Sequence, residues 1–164
     1  MRGLSDAGRR ESQRVADLLE QHDVAAIISS PYTRAIETVQ PLADRLRMTI
    51  EIDPDLRERH LSSGPLGDFN AWLEATWRDF HLAHPGCESN CAAQARVSRA
   101  IRRIAASSDS HDIVIGTHGT VLSLFLRTLD PAVDFAFWTR MSLPDIYVVA
   151  TYPDDGWSYR RVWS

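Results

Sequence analysis

The stretch IISSPYTRAIETVQPLA, residues 27–43, carries an apolar strand into a helix through a turn of small residues. The apolar, β-branched run begins at Val24, which predicts a buried strand over residues 24–30. Pro31 follows at the point where a helix begins, and residues 32–47 place apolar side chains at helical spacing. The stretch therefore predicts one unit of strand, turn and helix.

A second stretch, HDIVIGTHGTVLSLFLRTL at residues 111–129, has the same build. The other predicted elements are helices over residues 5–21, 68–84 and 89–106, a strand over residues 49–53, and a C-terminal hairpin that turns at Asp155 and Gly156. Because strands alternate with helices, we expect a three-layer α/β/α fold with a mostly parallel sheet. Repeats and linker-like stretches are absent, so we expect residues 1–164 to form a single domain.

Composition excludes several kinds of partner. The formal net charge is -4 and the pI is about 5.8, whereas binding to nucleic acid or to an anionic membrane needs a broad basic face. No apolar run approaches the roughly 18 residues that span a bilayer, and residues 1–10 lack the apolar region of a signal peptide. Cys87 and Cys91 have neither zinc-ligand nor disulfide-framework spacing. We therefore expect a cytoplasmic protein without a metal or an organic cofactor.

All positive side-chain charge comes from 18 arginines, because the sequence has no lysine. An arginine fork suits carboxylate and phosphate oxygens better than a lysine does. Codon usage in a GC-rich genome explains the same bias equally well. Since the net charge is negative, any anionic ligand would have to be bound by a local cluster of arginines.

Three side chains follow predicted strands and should meet at one edge of the sheet. Arg34 lies in the first turn of a helix, His118 lies just before another helix, and Glu58 lies in the loop after the strand at residues 49–53. In an open α/β sheet, ligands bind at the carboxyl ends of the strands, where helix N-termini favour anions. Arginine for binding, histidine as a donor and glutamate for proton transfer together indicate a phosphoryl site.

Each of these residues also has a purely structural interpretation. A lone histidine at a strand end is often just hydrogen-bonded within the fold. Glu58 lies between Arg57 and Arg59, as in a solvated charge cluster. Arg34 opposes the dipole of its helix, which favours an anion nearby, although surface arginines also occur at such positions. Spacing alone leaves both interpretations open.

Several stretches taken together resemble the histidine phosphatase superfamily, whose members have the phosphoglycerate mutase-like fold. They follow one another in the family's order: LSDAGRRESQRVADLL, IISSPYTRAIETVQPLA, DLRERHL, PGCESN and DIVIGTHGTVLSLFL. The Ser-Ser-Pro-x-x-Arg-Ala stretch followed by Thr38 is specific to this family, and the Thr-His-Gly turn adds to it. The resemblance runs from Leu4 to the C-terminal strands.

The resemblance implies a role for each candidate. Arg34 would hold the phosphoryl group, and His118 would be the second histidine of the pocket, stabilising the phosphate during transfer. Glu58 would donate a proton to the leaving oxygen. Glu88 and Ser89 match the family's Gly-Glu-Ser turn, interrupted here by a cysteine, which borders the pocket in many members; both could equally cap the next helix.

One part of the family pattern is absent. Family members open with a strand inside the sheet that ends in Arg-His-Gly, and its histidine is the nucleophile. The printed sequence contains no Arg-His-Gly, and the pair Arg59-His60 lies in the acid-bearing loop and follows no strand. We therefore expect an N-terminally truncated domain, explained by a start assigned too late at Met1, by a relic gene, or by a strand supplied from another segment or chain.

From the resemblance we expect a phosphomonoester phosphatase that acts on a small phosphorylated substrate without a cofactor. A chain without the nucleophile should show little or no turnover. Two alternatives stay open: a non-catalytic module that binds phosphate or another protein, and a phosphoglycerate mutase-like phosphotransferase. The short lid region, residues 61–86, favours phosphatase over mutase. A homo-oligomer is possible if partner strands complete the sheet.

Overall fold

In the computed structural model, which describes residues 2–62, 64, 67–107, 111–152 and 156–164, helices and strands alternate along much of the chain. The helices are α1 (Asp6–Leu19), α2 (Thr33–Leu46), α3 (Phe69–Arg78), α4 (Asn90–Ala106), α5 (Gly119–Arg127) and α6 (Phe135–Thr139). The strands are β1 (Val24–Ser29), β2 (Ile50–Ile52), β3 (Asp112–Gly116), β4 (Tyr147–Thr151) and β5 (Trp157–Arg161). A short 3₁₀ turn, Pro54–Leu56, follows β2.

The first three strands form a parallel sheet in the order β2-β1-β3. Ile27 of the central strand is in register with Ile50 on one side and Val114 on the other. All three strands therefore end at the same edge of the sheet, as the sequence predicts. The residues that follow β1 and β3 are brought side by side at this edge, where the backbone N–H of Ser30 donates to the carbonyl of Gly116 at 2.8 Å.

Helices cover both faces of this sheet because alternate side chains of a strand point to opposite sides. On one face, Ile27 packs against α1 and α2, and Leu42 lies fully buried in that core. On the other face, Ile28 packs in a larger core with Val97 of α4 and Leu124 of α5. The predicted α/β/α layering, with a parallel sheet flanked by helices, is confirmed.

Helix α3 is shorter than the sequence predicts. It ends at Arg78, whereas apolar spacing predicts a helix as far as His84. The next residue, Asp79, has an extended backbone, and its carboxylate accepts the backbone N–H of His81 at 2.9 Å. Aspartate side chains compete with helical hydrogen bonds in this way. The predicted end of the helix is therefore wrong, while its start, capped by Asp68, is right.

The C-terminal strands form a separate antiparallel hairpin, with Val149 opposite Tyr159. Both residues lie on the face that packs against the core of α4 and α5. The hairpin is predicted correctly, although Asp155 of its predicted turn lies outside the described residues. The short helix α6, which the sequence does not predict, begins where the carboxylate of Asp134 accepts the backbone N–H of Phe137.

Within the described part of the chain, every strand except β1 pairs on one side only. There, β3 pairs only with β1, and β4 pairs only with β5. The resemblance implies a further strand inside the sheet, but the strands described form two separate sheets. Val114 of β3 and Val148 of β4 are half-buried. No helix that the described residues form has both the length and the apolar character needed to cross a membrane.

Candidate active site

The site is built where β1 and β3 end. The chain leaves β1 through Ser30 into α2, and it leaves β3 through Thr117 and His118 into α5. The two strand ends come close together at Gly116. A Cβ there would lie 2.9 Å from the Ser29 hydroxyl oxygen and 3.2 Å from a backbone carbonyl oxygen of α2. Glycine at this position therefore lets the two turns approach each other.

His118 is almost enclosed, with 7% of the residue exposed. Its Nε2 atom lies 2.7 Å from the hydroxyl oxygen of Ser30, and its ring meets the ring of Tyr32 edge to face at 5.1 Å between centroids. Burial, followed by the positive charges of Arg34 and Arg96, lowers the pKa of His118 to about 3. The imidazole is therefore neutral at physiological pH in the unliganded chain.

Arg34 contacts the ring of the same tyrosine. Its guanidinium carbon is 4.9 Å from the centroid of the Tyr32 ring, which is a cation–π contact. No carboxylate among the described residues forms an ion pair with Arg34, in contrast to Arg45 or Arg96. A half-buried arginine without an anionic partner is well placed to bind an anion.

Glu58 reaches the same place from the loop after β2. One carboxylate oxygen accepts the backbone N–H of Arg59 at 2.8 Å, and the other accepts the backbone N–H of Thr120, at the start of α5, at 3.3 Å. Burial raises the pKa of the Glu58 carboxyl, although these hydrogen bonds and the charge of Arg34 act in the opposite direction. A raised pKa keeps a carboxyl group protonated to higher pH, as a proton donor requires.

The loop that carries Glu58 is fixed to the rest of the site by hydrogen bonds. The Thr117 hydroxyl donates to the carbonyl of Leu56 at 2.9 Å, which joins the Thr-His-Gly turn to this loop. Arg96 of α4 donates to the carbonyls of Asp55 and Arg57 at 2.6 and 3.0 Å. Glu58 is therefore held from two sides.

The structure gives Glu88 and Ser89 contacts that fit a supporting role. Glu88 binds Arg96 through two hydrogen bonds of 2.8 and 2.6 Å. Burial alone would raise the pKa of the Glu88 carboxyl, but the hydrogen bonds and the charge of Arg96 hold it below its ordinary value. Ser89 caps α4 by accepting the backbone N–H of Ala92 at 3.2 Å. Their predicted position at a pocket edge stays a prediction.

Arg59 is a further buried cation beside the site, with 5% of the residue exposed. Its Nη1 donates to the side-chain oxygen of Asn90, which in turn donates to the carbonyl of Thr76. Among the described residues, its Nε and Nη2 have no hydrogen-bond partner. The structure therefore does not support the interpretation of residues 57–59 as a solvated charge cluster, because Arg59 is enclosed.

The structure brings together the three residues that the sequence places at one sheet edge. Arg34 and His118 contact the same Tyr32 ring, and Glu58 accepts the backbone N–H of Thr120, two residues after His118. An anion binder, a neutral imidazole and a carboxyl with a raised pKa can together bind a phosphoryl group and deliver a proton to it. Within the described residues, no group of three or more His, Cys, Asp or Glu side chains could hold a metal ion.

Ser30, Tyr32 and Arg96 are not among the site residues that the sequence predicts. Ser30 and Tyr32 lie in the Ser-Ser-Pro-x-x-Arg-Ala stretch, but no local pattern shows that they contact His118, because the contact of Ser30 spans 88 positions of the chain. Arg96 does carry a signal: it lies on the apolar side of α4, three residues after Ala93 and four before Ala100, which are both fully buried. An arginine at such a position needs partners inside the protein.

Known proteins share this sequence pattern and fold. Residues 2–163 match the family model described as histidine phosphatase superfamily (branch 1). Phosphoglycerate mutase-like protein 4 of Arabidopsis thaliana is 33% identical over 141 residues, which cover 76% of this chain and 59% of that protein. Glucosyl-3-phosphoglycerate phosphatase of Mycobacterium tuberculosis is 29% identical over 142 residues, or 77% of this chain and 63% of that protein.

The chain spans about half the length of some curated relatives. A bifunctional protein of Mycobacterium tuberculosis is 27% identical over 98% of this chain, but the match covers 46% of that protein. Among solved structures, mycobacterial glucosyl-3-phosphoglycerate phosphatase in complex with VO3 matches with a TM-score of 0.77 at 25% identity, over 98% of this chain and 86% of that chain. Alpha-ribazole phosphatase from Shigella flexneri, at 19% identity, shares the fold with a TM-score of 0.76, over 98% of this chain and 84% of that chain.

The match to the family model thus covers nearly the whole chain, and structures of the same fold agree with it. The predicted resemblance rested on the Ser-Ser-Pro-x-x-Arg-Ala stretch and the Thr-His-Gly turn, and these two stretches meet at the carboxyl edge of the sheet. The chain belongs to the histidine phosphatase superfamily.

Proposed function

We propose that this chain is a phosphomonoester phosphatase domain of the histidine phosphatase type. Arg34 and His118 bind the phosphoryl oxygens, and Glu58 protonates the departing alcohol. The observation that carries the proposal is the cluster itself: an arginine without a carboxylate partner, a neutral buried imidazole and a carboxyl with a raised pKa at one sheet edge. Relatives named as phosphatases support hydrolysis as the reaction.

In the proposed reaction a histidine nitrogen attacks phosphorus while the bond from phosphorus to the alcohol oxygen breaks. The proton of Glu58 goes to that oxygen, and water then releases phosphate from the phosphohistidine. Arg34 and His118 stabilise the charge on the equatorial oxygens throughout, which is catalysis by positioning and electrostatics. Residues 1–164 contain no Arg-His-Gly sequence to supply the nucleophile. We therefore propose that these residues alone hydrolyse a phosphomonoester slowly or not at all.

A second candidate function is a phosphate-binding module that does not hydrolyse its ligand. The observation that favours it is again the lack of an Arg-His-Gly sequence within the 164 residues. The module would use Arg34 and His118 as the phosphatase does, and only the role of Glu58 would differ. Phosphotransfer of the mutase type has weaker support, which comes from the name of one relative and not from a feature of the site.

Titration of residues 1–164 with inorganic phosphate tests the binding half of the proposal. Arg34→Ala should weaken binding roughly 10- to 100-fold, because a charge-assisted hydrogen-bond pair is lost. Arg99→Ala is the matched control, since Arg99 is an exposed arginine on α4, and it should change the affinity less than about 2-fold. Equal affinities for the two variants would overturn the proposed site.

Chemical rescue separates the phosphatase from the binding module. Imidazole added in solution can act as the nucleophile that residues 1–164 lack, forming phosphoimidazole and phenol from phenyl phosphate. The proposal predicts imidazole-dependent release of phenol that Glu58→Gln reduces, because phenol is a poor leaving group that needs a proton. Glu51→Gln, an exposed glutamate of β2, is the control. Phosphate binding without any Glu58-dependent rescue would favour the binding module.

A further inference from the structure

Ser30 is in direct contact with His118 of the proposed site, although the proposed reaction does not use it. It is fully buried at the end of β1, and its hydroxyl oxygen lies 2.7 Å from Nε2 of His118. The same oxygen accepts the backbone N–H of Tyr32 at 3.3 Å. The neighbouring hydroxyl of Ser29, equally buried, turns away and donates to the carbonyl of Ser30 at 3.0 Å.

The hydrogen bond between Ser30 and His118 could be donated from either side, and a count of donors and acceptors decides which. A hydroxyl group has one hydrogen to donate and two lone pairs. Tyr32 already uses one lone pair. Among the described residues, the only acceptor within reach of the Ser30 hydroxyl hydrogen is Nε2 of His118. If Nε2 carried the proton instead, the Ser30 hydrogen would be buried without an acceptor, which is unfavourable.

The ring of His118 is also held against rotation. The edge-to-face contact with Tyr32 lies on one side, and only 7% of the residue is exposed. Tyr32 is in turn fixed by its backbone hydrogen bond to Ser30 and by Arg34 over its ring. The serine, the tyrosine and the imidazole therefore form one connected unit. The side of the imidazole that faces Ser30 is thereby decided by packing.

We infer that Ser30 is a positioning residue that keeps neutral His118 in the tautomer with its proton on Nδ1. A neutral imidazole has one donor and one acceptor nitrogen, so the serine decides which nitrogen can donate to a ligand. With Nε2 occupied by Ser30, the Nδ1–H group is the donor available to the phosphoryl group. That last step rests on the proposed function, whereas the tautomer itself does not.

Nitrogen-15 NMR of the six histidine rings of residues 1–164 tests this inference directly. The signals of His118 are assigned as those that disappear in His118→Gln. In the unsubstituted chain, Nδ1 of His118 should have the chemical shift of a protonated ring nitrogen, and Nε2 that of an unprotonated one. The expected preference for this tautomer is about tenfold or more, from the unfavourable burial of an unpaired hydroxyl hydrogen.

Ser30→Ala should abolish this preference, and Ser30→Thr should preserve it because the hydroxyl is retained. The matched control is Ser29→Ala, which removes an equally buried hydroxyl that does not touch His118. It should leave the tautomer unchanged, so a general loosening of the strand end is distinguished from the loss of one hydrogen bond. Thermal unfolding of each variant verifies that the compared chains are folded.

A protonated Nε2 in the unsubstituted chain, or an unchanged tautomer in folded Ser30→Ala, would overturn the inference. Phosphate titration adds a second reading: Ser30→Ala should weaken binding of inorganic phosphate by about tenfold, and Ser29→Ala should not. If Ser30→Ala alters the tautomer while no variant binds phosphate, the inference stands and the proposed function fails. If binding weakens with the tautomer unchanged, Ser30 acts only through structure and the inference fails.

Discussion

The two ends of the parallel sheet carry the same kinds of side chain in opposite surroundings. At the amino ends of β1 and β3, His22 binds Asp112 and His111 binds Asp23, each at 2.9 Å. The side chains of these four residues are 40% to 86% exposed. At the carboxyl ends, His118 is 7% exposed and its hydrogen-bond partner is an uncharged hydroxyl.

The difference explains why only one end is a candidate for chemistry. An exposed imidazole with a carboxylate partner is already satisfied and remains in contact with solvent. A buried imidazole beside the unpaired charge of Arg34 is kept neutral, and under the proposed function a phosphate would supply the anionic partner that Arg34 lacks. The same residue types therefore acquire different properties through burial and through the charge of their neighbours.

The largest expected effect concerns the buried ion pair that fixes the carboxyl end. Arg96→Ala leaves Glu88 with only its longer contact to Arg57, at 3.8 Å, and removes the donor to the two carbonyls of the Glu58 loop. The unfolding free energy should therefore fall by about 3–5 kcal/mol. Arg78→Ala, which removes an exposed pair with Glu74, should cost less than about 1 kcal/mol. Urea denaturation measures both. Similar losses of unfolding free energy in the two variants would contradict the expectation that the buried pair stabilises the chain more than the exposed pair.

The next largest effect is expected in the pH dependence of the unfolding free energy, to which His118 at the carboxyl end of the sheet should contribute. The pKa of His118 is about 3 in the folded chain, below its ordinary 6.5, so the folded chain binds fewer protons than the unfolded chain in this range. The stability that His118 contributes is complete above about pH 6.5 and is lost as the pH falls towards 3. His118→Gln should escape this loss, which amounts to a few kcal/mol at about 1.4 kcal/mol per pKa unit.

Urea denaturation at a series of pH values measures this difference, with His22→Gln at the exposed end as the control. The unsubstituted chain and His22→Gln should run parallel below about pH 6, and His118→Gln should diverge from both. If the curve of His118→Gln stays parallel to that of the unsubstituted chain, His118 is not buried as a neutral group.

A smaller effect is expected from the close approach of the two turns. Gly116→Ala would put a Cβ 2.9 Å from the Ser29 hydroxyl oxygen, so it should destabilise the chain by about 1–3 kcal/mol. Gly119→Ala is the matched control, because there a Cβ meets no atom closer than 3.8 Å and the effect should stay within about 1 kcal/mol. Thermal unfolding measures both variants. A larger loss at Gly119 would contradict the described packing.

The smallest effect is expected at the amino end. Asp112→Asn removes the carboxylate that His22 contacts, and the unfolding free energy should fall by only about 0.2–1 kcal/mol because the pair is exposed. Phosphate affinity should not change, since the pair lies at the end of the sheet opposite Arg34. A clear loss of phosphate binding in Asp112→Asn would show that the two ends are coupled.

Much of the fold could be predicted because the local patterns agree with one another. The apolar, β-branched run of β1 and the helical spacing in α2 predict elements that the structure confirms. The end of α3 could not be predicted from apolar spacing, because a single aspartate, Asp79, ends the helix through a local hydrogen bond. The arrangement of the strands in two separate sheets depends on long-range pairing, which no local pattern carries.

The sequence by itself determined the family, the α/β class and the positions of Arg34, Glu58 and His118, because residues that follow parallel strands must meet at one edge. Only the tertiary structure decided how deeply these residues are buried, which partners they contact and how their pKa values shift. It buried His118 against Ser30, left Arg34 without a carboxylate, and raised the pKa of Glu58. The physical reason is that burial and the charge of neighbours come from contacts between distant segments, whereas periodicity and spacing act within one segment.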